Sequence, residues 1–106
     1  MEKVNRTERN SYGLPDIVIP AEVLFHPKLT MTEKMLFGVI NNLAYNPNGC
    51  WATNRYLGKL LSIEPQTVSK MISNLKNQGF LKVCFVSKED GTNEHGRRIY
   101  VNKEVG

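Results

Sequence analysis

At 106 residues, with 41% hydrophobic and 23% charged side chains, the chain has the composition of one small globular domain with a single modest core. No apolar run approaches the roughly 18 residues that span a bilayer, and the start, "MEKVNRTERNSYG", has no hydrophobic region to act as a secretory signal. The expectation is a cytoplasmic protein with no membrane contact. Fourteen Lys+Arg against ten Asp+Glu leave +4 at pH 7, which permits nucleic-acid binding without arguing for it alone.

Residues 1–15 are polar, lack a periodic apolar pattern and read as a flexible arm ahead of one domain over 16–106. "IVIPAEVLF" (17–25) predicts a short extended piece broken by Pro20, then a turn of helix or a loop packed on the core. "TMTE" (30–33) has the form of a capping box, in which a Thr30 hydroxyl and a Glu33 carboxylate satisfy each other's backbone amides. Apolar residues then recur at Met35, Leu36, Val39, Ile40 and Leu43, the stripe of a helix ending near Tyr45. "NPNG" (46–49) ends it with turn chemistry. Gly38 costs that helix about 1 kcal/mol relative to Ala, which implies a close approach by another element.

"CWA" (50–52) reads as a small strand anchoring a sheet, with Trp51 the only tryptophan. Thr53 can cap a second helix that buries Leu57, Leu60 and Leu61, and "SIEP" (62–65) breaks it. Pro65 suits the first position of the next helix, 65–78, where its missing N–H does no harm. Val68, Met71, Ile72 and Leu75 fall on one side of it, and Gly79 closes it in the left-handed conformation. "FLKVCFV" (80–86) and "RRIYV" (97–101), separated by "SKEDGTNEHG", predict a β-hairpin with an extended tip.

Two helices joined by a three-residue turn, the second amphipathic, make a helix-turn-helix unit, and the hairpin makes it winged. The fold class is α+β: three helices with a small antiparallel sheet. "LTMTEKMLFGVINNLA", "GCWATNRYLGKLLSIEPQTVSKMISNLKNQGFL" and "RRIYV" resemble the winged helix-turn-helix domains of bacteriophages, plasmids and other mobile elements. The resemblance covers roughly 17–101. Many such domains belong to replication initiators or replisome organisers that bind an origin. It therefore implies a role in DNA replication initiation, with double-stranded DNA as partner. It leaves room for replication proteins as further partners, and for a homodimer joined through the leading arm or the helix from Thr30.

The outer face of the 65–78 helix fits that role on chemical grounds. A reader of the major groove needs side chains that donate and accept at base edges. Gln66 can pair bidentately with adenine, Lys70 can donate to guanine, and the Thr67 methyl can meet a thymine methyl. Ser69, Ser73 and Asn74 can bond bases or phosphates. Solvated helix faces ordinarily favour Glu and Lys; Ser, Thr and Asn are mediocre helix formers, so a face rich in them favours recognition. Residues early in the helix lie deepest in the groove, which ranks Gln66, Thr67 and Lys70 first.

Thr53, Asn54, Arg55, Tyr56 and Lys59, at the start and outer face of the 53–61 helix, are candidates for the DNA backbone, which positions rather than specifies. Lys88, Arg97 and Arg98 at the hairpin shoulders join them. Glu89, Asp90 and Glu94 argue against contact by the tip. A small transcriptional regulator would use the same surface, and a protein-binding adaptor or inhibitor is the alternative of another class.

Catalysis and metals find little support. Cys50 and Cys84 are too few and too far apart for paired CxxC units and read as reduced, partly buried thiols. His26 and His95 stand alone in sequence, so neither a metal nor another cofactor is expected. Asp16, Glu64 and Asp90 are isolated acids, and no Gly-rich phosphate loop precedes a helix. No enzyme is expected.

Overall fold

The computed structural model describes residues 16–44, 49–86 and 96–102. The expected arm (1–15), the helix end at Tyr45, and the wing tip with Lys88, Glu89, Asp90, Glu94 and His95 lie outside the described residues. In chain order the elements are α1 (Ala21–Leu24), α2 (Met31–Leu43), α3 (Asn54–Leu61), α4 (Pro65–Asn77), β1 (Leu81–Val86) and β2 (Gly96–Val101).

The short α1 is the turn of helix expected after Pro20, and it buries Val23. α2 begins at the capping box. Thr30 Oγ1 accepts from the Glu33 amide at 3.1 Å, and the Thr30 amide donates to Glu33 Oε1 at 2.8 Å. Its buried surface is wider than the expected stripe. Leu36, Phe37, Val39 and Ile40 are all buried, whereas Met35 is about half exposed. Phe37 replaces Met35 in the core because Phe80, arriving from the far side of α4, packs edge-on against it with ring centroids 6.0 Å apart. Gly38 meets its expected neighbour. A Cβ there would lie 2.7 Å from Ile17 Cγ2 and 3.0 Å from Ile19 Cγ1, so the leading segment lies directly on the helix.

Thr53 caps α3, its Oγ1 accepting from the Tyr56 amide at 3.0 Å. The helix stops at Ser62, which adopts a left-handed conformation (φ 59°, ψ 42°), and the Ile63 amide returns to the Gly58 carbonyl. Ser62, Ile63 and Glu64 form the three-residue turn, and Pro65 opens α4. At its other end the Phe80 amide donates to the Leu75 carbonyl and the Gly79 amide to that of Lys76, with Gly79 at φ 87°. This paired bonding around a left-handed residue satisfies carbonyls that the helix leaves free.

β1 and β2 pair antiparallel from Leu81↔Val101 to Val86↔Gly96. The anticipated strand at 50–52 is reduced to one bridge, Cys50↔Ile99, whose two backbone hydrogen bonds measure 2.8 and 3.0 Å. It still fastens the α2–α3 connection to the outer edge of β2. Leu36, Phe37, Ile40, Leu57, Val68, Leu75 and Ile99 are fully enclosed where helices and sheet meet. Four helices and a two-stranded antiparallel wing, with α2 against β2 and α4 against β1, make this a winged helix-turn-helix. Among the described residues, no helix is long and apolar enough to cross a membrane, and no cluster of His, Cys, Asp or Glu is placed to hold a metal ion.

Candidate nucleic-acid interface

α4 is turned by its core residues. Val68, Met71, Ile72 and Leu75, the four positions expected from periodicity, are the buried ones. Their burial leaves Gln66, Thr67, Ser69, Lys70 and Ser73 exposed on the opposite side. Gln66, Lys70 and Ser73 follow one another at helical spacing, with Thr67 and Ser69 beside them, so the five form one patch. The patch begins in the first turn, where Glu64 makes no side-chain cap. From Thr53 to Lys82 the chain carries five cations (Arg55, Lys59, Lys70, Lys76 and Lys82) and one acid, Glu64. The positive charge is concentrated on these two helices and the strand that follows.

Arg55 and Tyr56 are exposed in the first turn of α3, and Lys59 is exposed one turn later. Thr53 is exposed too, although its hydroxyl oxygen already serves as the helix cap. This geometry, two helices held by a tight turn with the second presenting a polar face, is that of a helix-turn-helix. A family model described as a helix-turn-helix domain matches residues 28–81, from just before α2 to the first residue of β1. The chain belongs to this helix-turn-helix family. No curated protein and no solved structure matches it. The wing lies beyond the matched stretch and is supplied by the structure.

Three expected DNA contacts, two on the helices and one on the wing, have protein partners. Asn74 is half-buried, and its Nδ2 donates to Glu33 Oε1 and Oε2 at 3.0 and 2.9 Å and to the Lys28 carbonyl at 3.3 Å. Glu33 is only 7% exposed, so Asn74 supplies a donor to a buried carboxylate and ties α4 to the start of α2. That corrects its assignment to the base-reading face. Asn54 and Arg97 hold each other. Arg97 Nη1 donates to Asn54 Oδ1 and Nη2 to the Ala52 carbonyl at 2.7 Å, which clamps β2 to the start of α3. Periodicity places a residue on a face, but it cannot reveal a partner forty positions away.

Burial governs the chemistry behind this clamp. It pushes the Cys50 thiol up, against weaker opposing effects of the Ala52 amide and Arg97, so Cys50 stays a neutral thiol. It also lowers Arg97 below its ordinary value, with Cys50 opposing. Arg98 is the shoulder residue that differs, lying over the Trp51 ring with its guanidinium carbon 3.8 Å from the ring centroid. Sequence reading set Trp51 aside as an anchor of the sheet. In fact it is half exposed, and the signal was available: in an extended segment the neighbour of a buried Cys50 points outward.

The Asn74 network gives a stability prediction. Asn74→Ala should destabilise the domain by about 1–3 kcal/mol, because it strips donors from a buried carboxylate. Chemical denaturation of the two proteins measures this; equal midpoints and slopes would mean that the Glu33 contact contributes nothing.

Proposed function

We propose that this protein is a sequence-specific double-stranded DNA-binding protein of mobile-element type, acting in the cytoplasm in DNA replication initiation. α4 enters the major groove with Gln66, Thr67, Ser69, Lys70 and Ser73 toward base edges. Arg55, Tyr56 and Lys59 on α3 and Arg98 on the wing meet phosphates, which fix register without specifying sequence. The protein has no catalytic role in this reading.

The observation that carries it is the exposed face of α4. Uncharged donors and acceptors with one cation stand opposite a buried apolar side, within a stretch of positive bias. The helix-turn-helix family supports DNA as the partner. Replication rests on the resemblance to mobile-element domains. A transcriptional regulator would use the same residues in the same way, and genomic neighbourhood separates the two.

Binding of random-sequence duplex at increasing salt tests the reading. Affinity should fall steeply as salt rises, because cations on the protein displace counterions from the phosphates. Arg55→Ala and Lys59→Ala should weaken binding to all duplexes alike, each lowering the salt slope by about one unit. Failure to bind duplex at low salt would favour a protein-binding adaptor.

A further inference from the structure

Beside α3, the segment at Cys50 and strand β2 carry a stacked pair that neither folding nor base reading uses. The Cys50↔Ile99 bridge sets Trp51 next to Arg98 across the two segments. Trp51 is 50% exposed and Arg98 covers one ring face at 3.8 Å. Arg98 Nε is enclosed and has no hydrogen-bond partner. The other surroundings of the ring form an open groove of about 420 Å³, lined with Leu43, Gly49, Ala52, Thr53 and Tyr56.

These features do not serve stability well. A large aromatic left half in water contributes less than a buried one, and a desolvated N–H without an acceptor is unfavourable. They suit a guanidinium held in readiness for an anion. The ring face attracts the cation and restricts its rotation, so less freedom is lost when the contact forms. With Nε enclosed, the terminal nitrogens are the donors left to reach a phosphate. The adjacent clamp from Arg97 to Asn54 and Ala52 fixes this corner to the start of α3. A strand running past Arg55 and Tyr56 would therefore meet Arg98 at a fixed offset.

We propose that Trp51 is a positioning residue for DNA binding: it holds the Arg98 guanidinium against its ring so that Arg98 meets a phosphate beside the start of α3. The proposal rests on the DNA-binding reading above. Trp51 itself touches no base. Its contribution passes through Arg98, which distinguishes it from a stacking platform.

A double-mutant cycle on duplex affinity, run across a salt series with thermal melts of each variant, tests it. Arg98→Ala should weaken binding to every duplex by about tenfold and lower the salt slope by about one. Trp51→Ala should weaken binding several-fold with a similar melting temperature, and should add nothing further in the Arg98→Ala background. Trp51→Phe, which keeps an aromatic face, should restore most of the affinity. Wild-type affinity in Trp51→Ala, or the same loss with and without Arg98, would overturn the proposal. If wild type binds duplex and Arg55→Ala weakens it while Trp51→Ala does not, the positioning role fails and the DNA reading stands. If wild type binds no duplex, both fail.

Discussion

Ile72→Ala should cost about 2–5 kcal/mol of stability, while Ser73→Ala, one residue later, should stay within about 0.5 kcal/mol. Ile72 is 5% exposed and belongs to the cluster in which Val68 and Leu75 are fully enclosed. Removing three of its carbons takes away buried apolar surface and leaves a cavity that helices fixed by a short turn and a capping box cannot readily close. In a domain this small the loss is a large share of total stability. Ser73 is exposed and belongs to no part of the core. Because the two residues are adjacent, the pair tests the rotation of α4 about its axis, and that rotation decides which side chains can enter a groove. Thermal melts settle it: a stable Ile72→Ala beside a collapsed Ser73→Ala would turn the helix around.

Gly58→Ala should destabilise the domain by about 3 kcal/mol, even though alanine is the better helix former by about 1 kcal/mol. A Cβ at position 58 would strike the Ile63 carbonyl oxygen and lie 3.5 Å from Val68 Cγ2. The first neighbour is backbone and cannot rotate away. It belongs to the turn that Ser62 folds back in a left-handed conformation, with the Ile63 amide bonded to the Gly58 carbonyl at 2.9 Å. A methyl group there pushes α4 away from α3, so DNA affinity should fall along with stability. Equilibrium denaturation of Gly58→Ala measures the effect. A variant as stable as wild type would mean that the turn opens without cost.

Local signals in the sequence carried much of this fold. Thr30 and Glu33 announced the start of α2, Pro65 the start of α4 and Gly79 its end, because each acts on backbone groups within a few residues. The four buried positions of α4 followed from a period of 3.6. What escaped depended on partners distant in sequence. Phe37 entered the core in place of Met35 because Phe80 reaches it from beyond α4, which no pattern inside α2 records. Asn74 has the same chemistry as its neighbours on the reading face. Only the buried Glu33, 41 positions away, draws it inward. Arg97 and Arg98 are consecutive and chemically identical, yet strand alternation sends one to clamp Asn54 and the other onto Trp51. Nothing inside α3 marks Gly58, because the carbonyl that a Cβ there would strike, that of Ile63, comes from the turn beyond the helix.

The central claim is that the exposed face of α4 reads bases. The most direct test selects the preferred site from a pool of random duplexes with the wild-type protein, then measures that site against Gln66→Ala and Lys70→Ala. Both side chains are exposed in the first half of α4 and belong to no core contact, so the folded domain should survive either change. Each variant should lose roughly 1–3 kcal/mol on the selected site and accept more bases at one position of a repeated selection. Wild-type affinity and an unchanged selected sequence in both variants would contradict the assignment of α4 as the reading helix.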